Sequence, residues 1–466
     1  MKRINDYIDA KANEMTDALA GLVRIPSVKG EAAPGMPYGE GVGRALQYAL
    51  SLGKKLGFEP VNLEGHMGLV DYGEGDETLG IMMHLDVVPA GAGWNHDPFS
   101  AHIENGRMYG RGTTDNKGAV ISALYALAAV KERGLPLKRR VRIMLGCDEE
   151  SGWGDMAYYK QHQPLPDLAF SPDCEYPVIN AEKGVLHLDI TKKFSSAAGE
   201  EGGLRVLSFS GGSRVNMVPD RAEAVISPGN DGTFSAESLQ TRLGPDMECT
   251  LQQDGNVHVL CHGLSAHGST PELGKNAVCM LAAALYDLGL QPGGPANVIA
   301  FLARKMLGEL GGQSIGLALR DEVSGALTIN IGVLEMDEKG MSMQWDIRFP
   351  ITYTHEDILE RIAAAMQLPG FMVNVRHSLP PHFVSEDSEL VQKLLMVYAR
   401  QTGAKAYCRS IGGATYARAM ENAVSFGPNM ESGEHLAHQA NEYVPLEMLA
   451  FNARMIADAI VTLCGA

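Results

Sequence analysis

The strand patterns change character twice along this chain, and that change restricts the folds open to it. Up to about residue 183, short apolar runs alternate with helical stretches. "LGIMMH" (79–84), "VRIMLGC" (141–147) and "DLAFSPD" (167–173) are nearly continuous in apolar residues. Such runs suit strands buried on both faces. Between the first two lies "GAVISALYALAAVKERG" (118–134), rich in Ala and Leu and ending in Lys, Arg and Gly, which predicts a helix. Together they predict an open, mainly parallel α/β sheet.

From about 184 the strands alternate apolar and polar residues instead. "GVLHLDITKKF", "LRVLSFSGG", "RAEAVIS" and "VHVLCHG" read as half-exposed antiparallel strands. A helix is expected over about 274–289. "ALTINIGVLEMDEKGMSMQWDIRFP" reads as a hairpin, "HEDILERIAAAMQ" as a helix and "FMVNVRHS" as a strand. This predicts an inserted α+β region of two ferredoxin-like units, although no sequence repeat marks a duplication. After "LPPHF" the α/β style returns, with helices from about 387 and 446. The expected organisation is therefore a first catalytic part (1–183), an inserted lid (184–381) and a second catalytic part (382–466).

Bulk properties exclude some classes. The formal net charge is −17, against the basic patch of a nucleic-acid binder. The seven cysteines are scattered, odd in number and without a CxxC pair, as in a reduced cytoplasmic protein. The N-terminal "MKRINDYIDAKANEMTDAL" is polar and amphipathic rather than a signal peptide. No run reaches the ~18 apolar residues of a membrane span. A cytoplasmic protein, with neither nucleic-acid nor membrane partner, is expected.

The chemistry gathers where the apolar strands end. "MHLDVVPAG" places His84 and Asp86 there, "GRGTTDNKG" carries Asp115, "CDEESG" carries Glu149 and Glu150, and "SPDCE" carries Asp173. Sites in open α/β sheets are built at the carboxyl ends of strands. Alone, "DEE" would be a solvated loop and His84 a core histidine. One imidazole with four or five carboxylates and few nearby cations points instead to a pair of divalent cations. That donor set suits zinc, and manganese or cobalt also fit.

These residues, with the late "HQANE" (438–442), resemble the co-catalytic zinc peptidases related to carboxypeptidase G, aminoacylase and succinyl-diaminopimelate desuccinylase. Within that family, "GWNHDPFSAHIENGRMYGRGTTDNKG" and "SAHGSTPELGKNA" are most similar to the bacterial dipeptidase V type. The resemblance spans nearly the whole chain. It implies a zinc-exopeptidase-like catalytic domain and a peptide substrate. It also implies that His84 and Asp173 bind one metal, Glu150 and His438 the other, and that Asp115 bridges them through a residue followed by a cis peptide bond. Asp86 would orient His84 through its far nitrogen. Glu149 would be the general base, and Asp148 reads as strand-end chemistry.

In the inserted region, the resemblance makes His267 the residue that stabilises the oxyanion, Asn216 its partner and Arg348 the clamp on the substrate carboxylate. Without it, Arg348 would read as a surface arginine closing a hairpin. His435 competes with His438 as ligand, and "HQANE" favours His438. Cys147 and Cys174 read as small apolar residues. His96 and His102, among other histidines, have no partner assignable from sequence.

Three functions remain in view. One is a dinuclear metallo-dipeptidase, monomeric because a duplicated lid can serve its own site. Another is an amidohydrolase of N-acyl amino acids. The third is an inactive scaffold, disfavoured because every matched ligand and the base are present.

Overall fold

The structure is a computed structural model that describes residues 1–195, 203–228, 236–367, 370–434 and 436–465. The chain forms two compact units. The first comprises Met1–Ala181, Phe383–Arg409 and Ala414–Ala466, and the second Glu182–His382 with Ser410–Gly413.

Among the described residues, the first unit is organised by a nine-stranded sheet. Its centre is parallel. Arg139–Gly146 pairs with Glu77–His84, which pairs with Leu168–Ser171, which pairs with Ala423–Ser425. These are the continuously apolar strands, and the last six residues of Glu77–His84 are all buried. At one margin Met67–Tyr72 and Val61–Leu63 run antiparallel. Ala423–Ser425 pairs antiparallel with Val178–Glu182 on the other side.

The helix Lys117–Arg133 is buried over fourteen of its residues, Lys117–Val130. Such a helix needs apolar neighbours around its whole girth. The C-terminal helix Leu446–Cys464 is one: Ser122 Oγ donates to Leu449 O across the contact at 3.1 Å. Gly134 ends the first helix in the left-handed region at φ +63, where a side chain would be strained.

The second unit is built on an eight-stranded sheet whose described pairings are all antiparallel. Its order is Met247–Leu251, Val257–His262, Arg221–Ser227, Arg205–Gly211, Thr328–Asp337, Gly340–Phe349, Gly184–Lys193, Met372–Leu379. Two four-stranded halves join edge to edge where Arg205–Gly211 meets Thr328–Asp337. Helices Ala236–Leu243 and Ala277–Asp287 accompany the first half and His355–Gln367 the second, while Gly294–Lys305 packs on Ala277–Asp287 and stacks Phe301 on Trp345 of the second half, ring centres 6.4 Å apart. Four strands with two helices, twice, is the composition of paired ferredoxin-like units. Alternating burial along Arg221–Ser227 shows one face on the core and one outside. Trp345 lies fully buried within that core.

No described helix is long and apolar enough to cross a membrane.

Candidate metal centre

The parallel strands deliver their terminal residues to one place. His84 closes the strand Glu77–His84, and Asp173 follows Leu168–Ser171. His84 Nε2 lies 2.9 Å from Asp115 Oδ1 and 3.5 Å from Asp173 Oδ1. The second Asp115 oxygen, Oδ2, lies 3.0 Å from His438 Nε2, which is also 3.0 Å from Glu150 Oε1. Two donor groups therefore share one carboxylate. They are His84, Asp115, Asp173 and Asp115, Glu150, His438, and within each group the ligand atoms lie within 4.8 Å of one another. His84 is fully buried, whereas the His438 side chain is 53% exposed, so the cluster opens to solvent on the His438 side.

The electrostatics of the cluster call for positive charge. Burial disfavours a protonated His84, yet the Asp173 charge and the bonds to Asp115, Asp173 and Asp86 hold it well above the usual histidine range. Burial, then the Asp115 charge, push the Glu150 carboxyl up to about 7, against the pull of His438. Glu149 is pushed well up, first by burial and then by Asp173, Glu150 and Asp115, with His84 opposing. Imidazole nitrogens with carboxylate oxygens at this spacing fit divalent cations of the zinc, manganese or cobalt kind.

The stretch that carries Glu149 and Glu150 is held by its backbone. Cys147 N–H and Asp148 N–H donate to Asp155 Oδ2 at 2.6 and 2.9 Å. Glu149 N–H and Glu150 N–H donate to the two oxygens of Asp86 at 3.2 and 3.1 Å. Two buried carboxylates thus capture four consecutive amides. Asp86 faces both this stretch and the far nitrogen of His84. The backbone carbonyl of Asp86 faces His84 Nδ1 at 2.9 Å, and its carboxylate is 3.6 Å away because the two glutamate amides claim it. Asp148 also does more than end a strand. It accepts from Gly154 N–H at 3.0 Å and from Lys29 Nζ at 2.6 Å.

Asp115 is fixed in the same way. The Glu442 carboxylate accepts from Gly112, Thr114 and Asp115 N–H at 3.1, 2.9 and 3.2 Å, and from Arg111 Nη1 at 2.7 Å. Glu442 is completely buried and sits four residues after His438. It therefore couples the loop of the shared carboxylate to the turn of a second candidate ligand. The Asp115–Asn116 peptide bond is cis. Asn116 Nδ2 donates to Asp173 Oδ1 at 2.7 Å. His438 and Asn441 both adopt positive φ, +65 and +63. Non-glycine residues hold that conformation where surrounding bonds impose it. Here Asn441 bonds Asn95 N–H and Gly93 O. His435 lies outside the described residues.

Within the second unit, the other expected residues also converge. Gly268 N–H donates to Asn216 O at 2.8 Å, and Met217 bridges to His267. A Cβ on Gly268 would stand 2.4 Å from Asp346 Oδ2, so only glycine lets the His267 loop lie against that carboxylate. Arg348 grips Asp346 by a two-pronged bond, Nε to Oδ1 at 2.7 Å and Nη2 to Oδ2 at 2.9 Å, and its Nη1 donates to Gly412 O at 2.7 Å. Arg348 is buried, not the surface arginine its hairpin position suggests in isolation. Three of the five guanidinium N–H groups are used in these bonds, which leaves two. His267 is exposed, with Nδ1 2.7 Å from Ser269 Oγ.

Residues 80–462 match the profile of peptidase family M20/M25/M40. The chain belongs to this peptidase family. The peptidase is 39% identical over 446 residues to the Bacillus subtilis (strain 168) protein named "Putative dipeptidase YtjP", covering 95% of each chain. Its fold is similar to that of human carnosine dipeptidase 1, with a TM-score of 0.59 and 15% identity over 99% of this chain and 98% of that one. It is also similar to the M20 family metallo-carboxypeptidase Sso-CP2 of Sulfolobus solfataricus, with a TM-score of 0.56 and 16% identity over 96% and 98%. A metallopeptidase family implies bound metal ions, and the two donor groups are the described clusters of the first unit that gather around Asp115.

In this peptidase Asp86→Asn turns an amide N–H toward one of the two glutamate amides. An unsatisfied buried donor costs about 1–3 kcal/mol. Metal affinity should fall roughly 10- to 100-fold, as when residues behind metal ligands are altered. Competition with a chromogenic chelator measures it. Unchanged affinity would mean that the 147–150 segment does not depend on Asp86.

Proposed function

We propose that this peptidase is a dinuclear metallo-dipeptidase, cleaving dipeptides that carry a free C-terminal carboxylate. The observation that carries the reading is the Asp115 carboxylate shared between His84 with Asp173 and Glu150 with His438. The name of the 39% identical relative and the two-half sheet of the second unit support the dipeptide substrate.

His84, Asp173 and Asp115 would hold one divalent cation, and Glu150, His438 and Asp115 the other, zinc by donor chemistry. When bound, such a pair supplies Lewis acidity and makes a water nucleophilic near neutral pH. Glu149 takes the proton of the attacking water. As the C–O bond forms and the C–N bond breaks, the same carboxyl returns that proton to the leaving amine. Asp86 and Asp155 keep the Glu149–Glu150 backbone in place, so base and ligand are presented together. His267, with Asn216 beside it, stabilises the oxyanion that develops on the substrate carbonyl. Arg348 offers its two remaining N–H groups to the substrate carboxylate, a planar match. Asp346 keeps the guanidinium oriented. We propose a monomer, because the second unit already contains two halves. A reducing, cytoplasmic setting suits seven scattered cysteines without a CxxC pair.

The test compares kcat/KM for a dipeptide, its C-terminal amide, its one-residue extension and the N-acetyl amino acid. The dipeptide should lead by roughly two orders of magnitude, about the 3 kcal/mol of a charge-assisted interaction. An extension moves the carboxylate about 3.5 Å further from the scissile carbonyl than in a dipeptide. Arg348→Lys should narrow the gap between acid and amide. Lysine keeps a charge beside Asp346, whereas alanine would leave that buried carboxylate unpaired. Equal turnover of acid and amide would remove the clamp. Preference for the N-acetyl amino acid would favour the amidohydrolase reading.

A further inference from the structure

A second kind of donor cluster lies in the first unit, apart from the Asp115 groups. His96, His102 and Glu104 each offer a ligand atom, and these atoms lie within 4.8 Å of one another. The three reach one place for different reasons. His102 and Glu104 stand on the strand His102–Glu104, two residues apart, so their side chains project from the same face. His102 Nε2 and Glu104 Oε2 are 4.0 Å apart. His96 comes from the preceding loop, and its ring stacks on that of His102 with centroids 3.8 Å apart at 23°.

We infer that His96, His102 and Glu104 form a third metal site, for a borderline divalent transition-metal ion such as Zn²⁺. Two imidazoles and one carboxylate are a recurring zinc donor set, with a fourth position left to water. Tetrahedral coordination with bonds of about 2.0–2.1 Å brings ligand atoms to roughly 3.3 Å apart. His102 Nε2 and Glu104 Oε2, at 4.0 Å, must approach further, and the stacked His96 and His102 rings tilt to present a nitrogen each. His102 is partly buried and His96 exposed, so both rings have room to do so.

The loop that supplies His96 is already braced, which lowers the ordering cost of binding. Trp94 Nε1 donates to Ala90 O at 2.8 Å, and the Arg111 guanidinium lies 5.4 Å from the Trp94 ring centre. Asp97 accepts from Phe99 N–H at 2.8 Å. The same loop grips the turn of His438. Asn95 N–H donates to Asn441 Oδ1 at 2.8 Å, and Asn441 Nδ2 donates to Gly93 O at 3.2 Å. An ion joining His96 to the strand therefore stiffens the segment that braces the His438 turn.

The experiment titrates the metal-loaded, full-length protein with Zn²⁺ and counts bound ions by equilibrium dialysis and mass spectrometry. His96→Ala and His102→Ala proteins are titrated alongside. The wild type should bind one more Zn²⁺ per chain than is needed to saturate turnover. Both variants should lose that ion while keeping wild-type turnover at low metal. Hydrogen exchange at amides 93–97 should slow with the additional ion in the wild type alone. Absence of the additional ion, or its retention in either variant, overturns the site. Neither outcome depends on which substrate is cleaved.

Discussion

Glu149→Gln is expected to lower dipeptide turnover by roughly a thousandfold while both catalytic metals stay bound. General bases contribute about 10²–10⁴-fold. The substitution keeps size and hydrogen-bonding shape but removes the group that accepts a proton. Metal retention follows because the candidate ligands are His84, Asp115, Glu150, Asp173 and His438, and Glu149 belongs to neither donor group. The Asp86 grip on this stretch goes to the backbone N–H of residue 149, which glutamine also has. Metal content by mass spectrometry, measured beside kcat, checks the result. Loss of an ion with loss of turnover would reverse the roles assigned to Glu149 and Glu150.

Asp115→Ala is the second large effect. It should release both ions together, since one oxygen faces His84 at 2.9 Å and the other faces His438 at 3.0 Å. Removing any other candidate ligand strips one donor group, whereas this removes a donor from each. Metal content at sub-micromolar free zinc should fall from two ions per chain to below one, and turnover should vanish with it. The fold should persist, because Glu442 still receives the amides of Gly112 and Thr114 and the ion pair with Arg111. Full stoichiometry in the variant would sink the bridging assignment.

Three of the candidate ligands were legible because they sit beside recognisable strand ends, whereas Asp115 lies in a loop before a helix and His438 was marked only by the resemblance of "HQANE". His84 is the last residue of an apolar run, and Glu150 and Asp173 lie a few residues past others. Arg348 was legible only through resemblance. Its hairpin position gives no sign of the buried Asp346 that holds it. Glu442, Asp155 and Asn116 received no role from sequence. Glu442 and Asp155 act mainly on backbone N–H groups, which leave no mark of residue type, and Glu442 reaches back more than 300 positions. The third cluster escaped for a related reason. His102 and Glu104 carry a readable two-residue spacing, but His96 joins them through a loop whose path spacing does not reveal.

The architecture of the second unit was legible from alternation, but not all of its elements. Helix Gly294–Lys305 escapes prediction because Gly293, Gly294 and Pro295 read as a turn, although proline near a helix start is also a start signal. The exposed edge strand Met247–Leu251, with burial only at Met247 and part of Cys249, offers little period to find.

The interrupted chain of the first unit has a consequence for biosynthesis. His84, Asp115, Glu150 and Asp173 emerge from the ribosome before the second unit, whereas His438 and Glu442 follow it. Helix Lys117–Arg133 must likewise wait for helix Leu446–Cys464. At about 5–20 residues per second, translation from 182 to 446 takes roughly 13–50 s. Throughout that interval the nascent chain carries an apolar helix without its partner and half a metal cage. The second unit, continuous apart from Ser410–Gly413, can fold in the meantime. Translation thus acts as a timer on this hydrolase: the candidate metal cage can close only once the segment that carries His438 and Glu442 has been made.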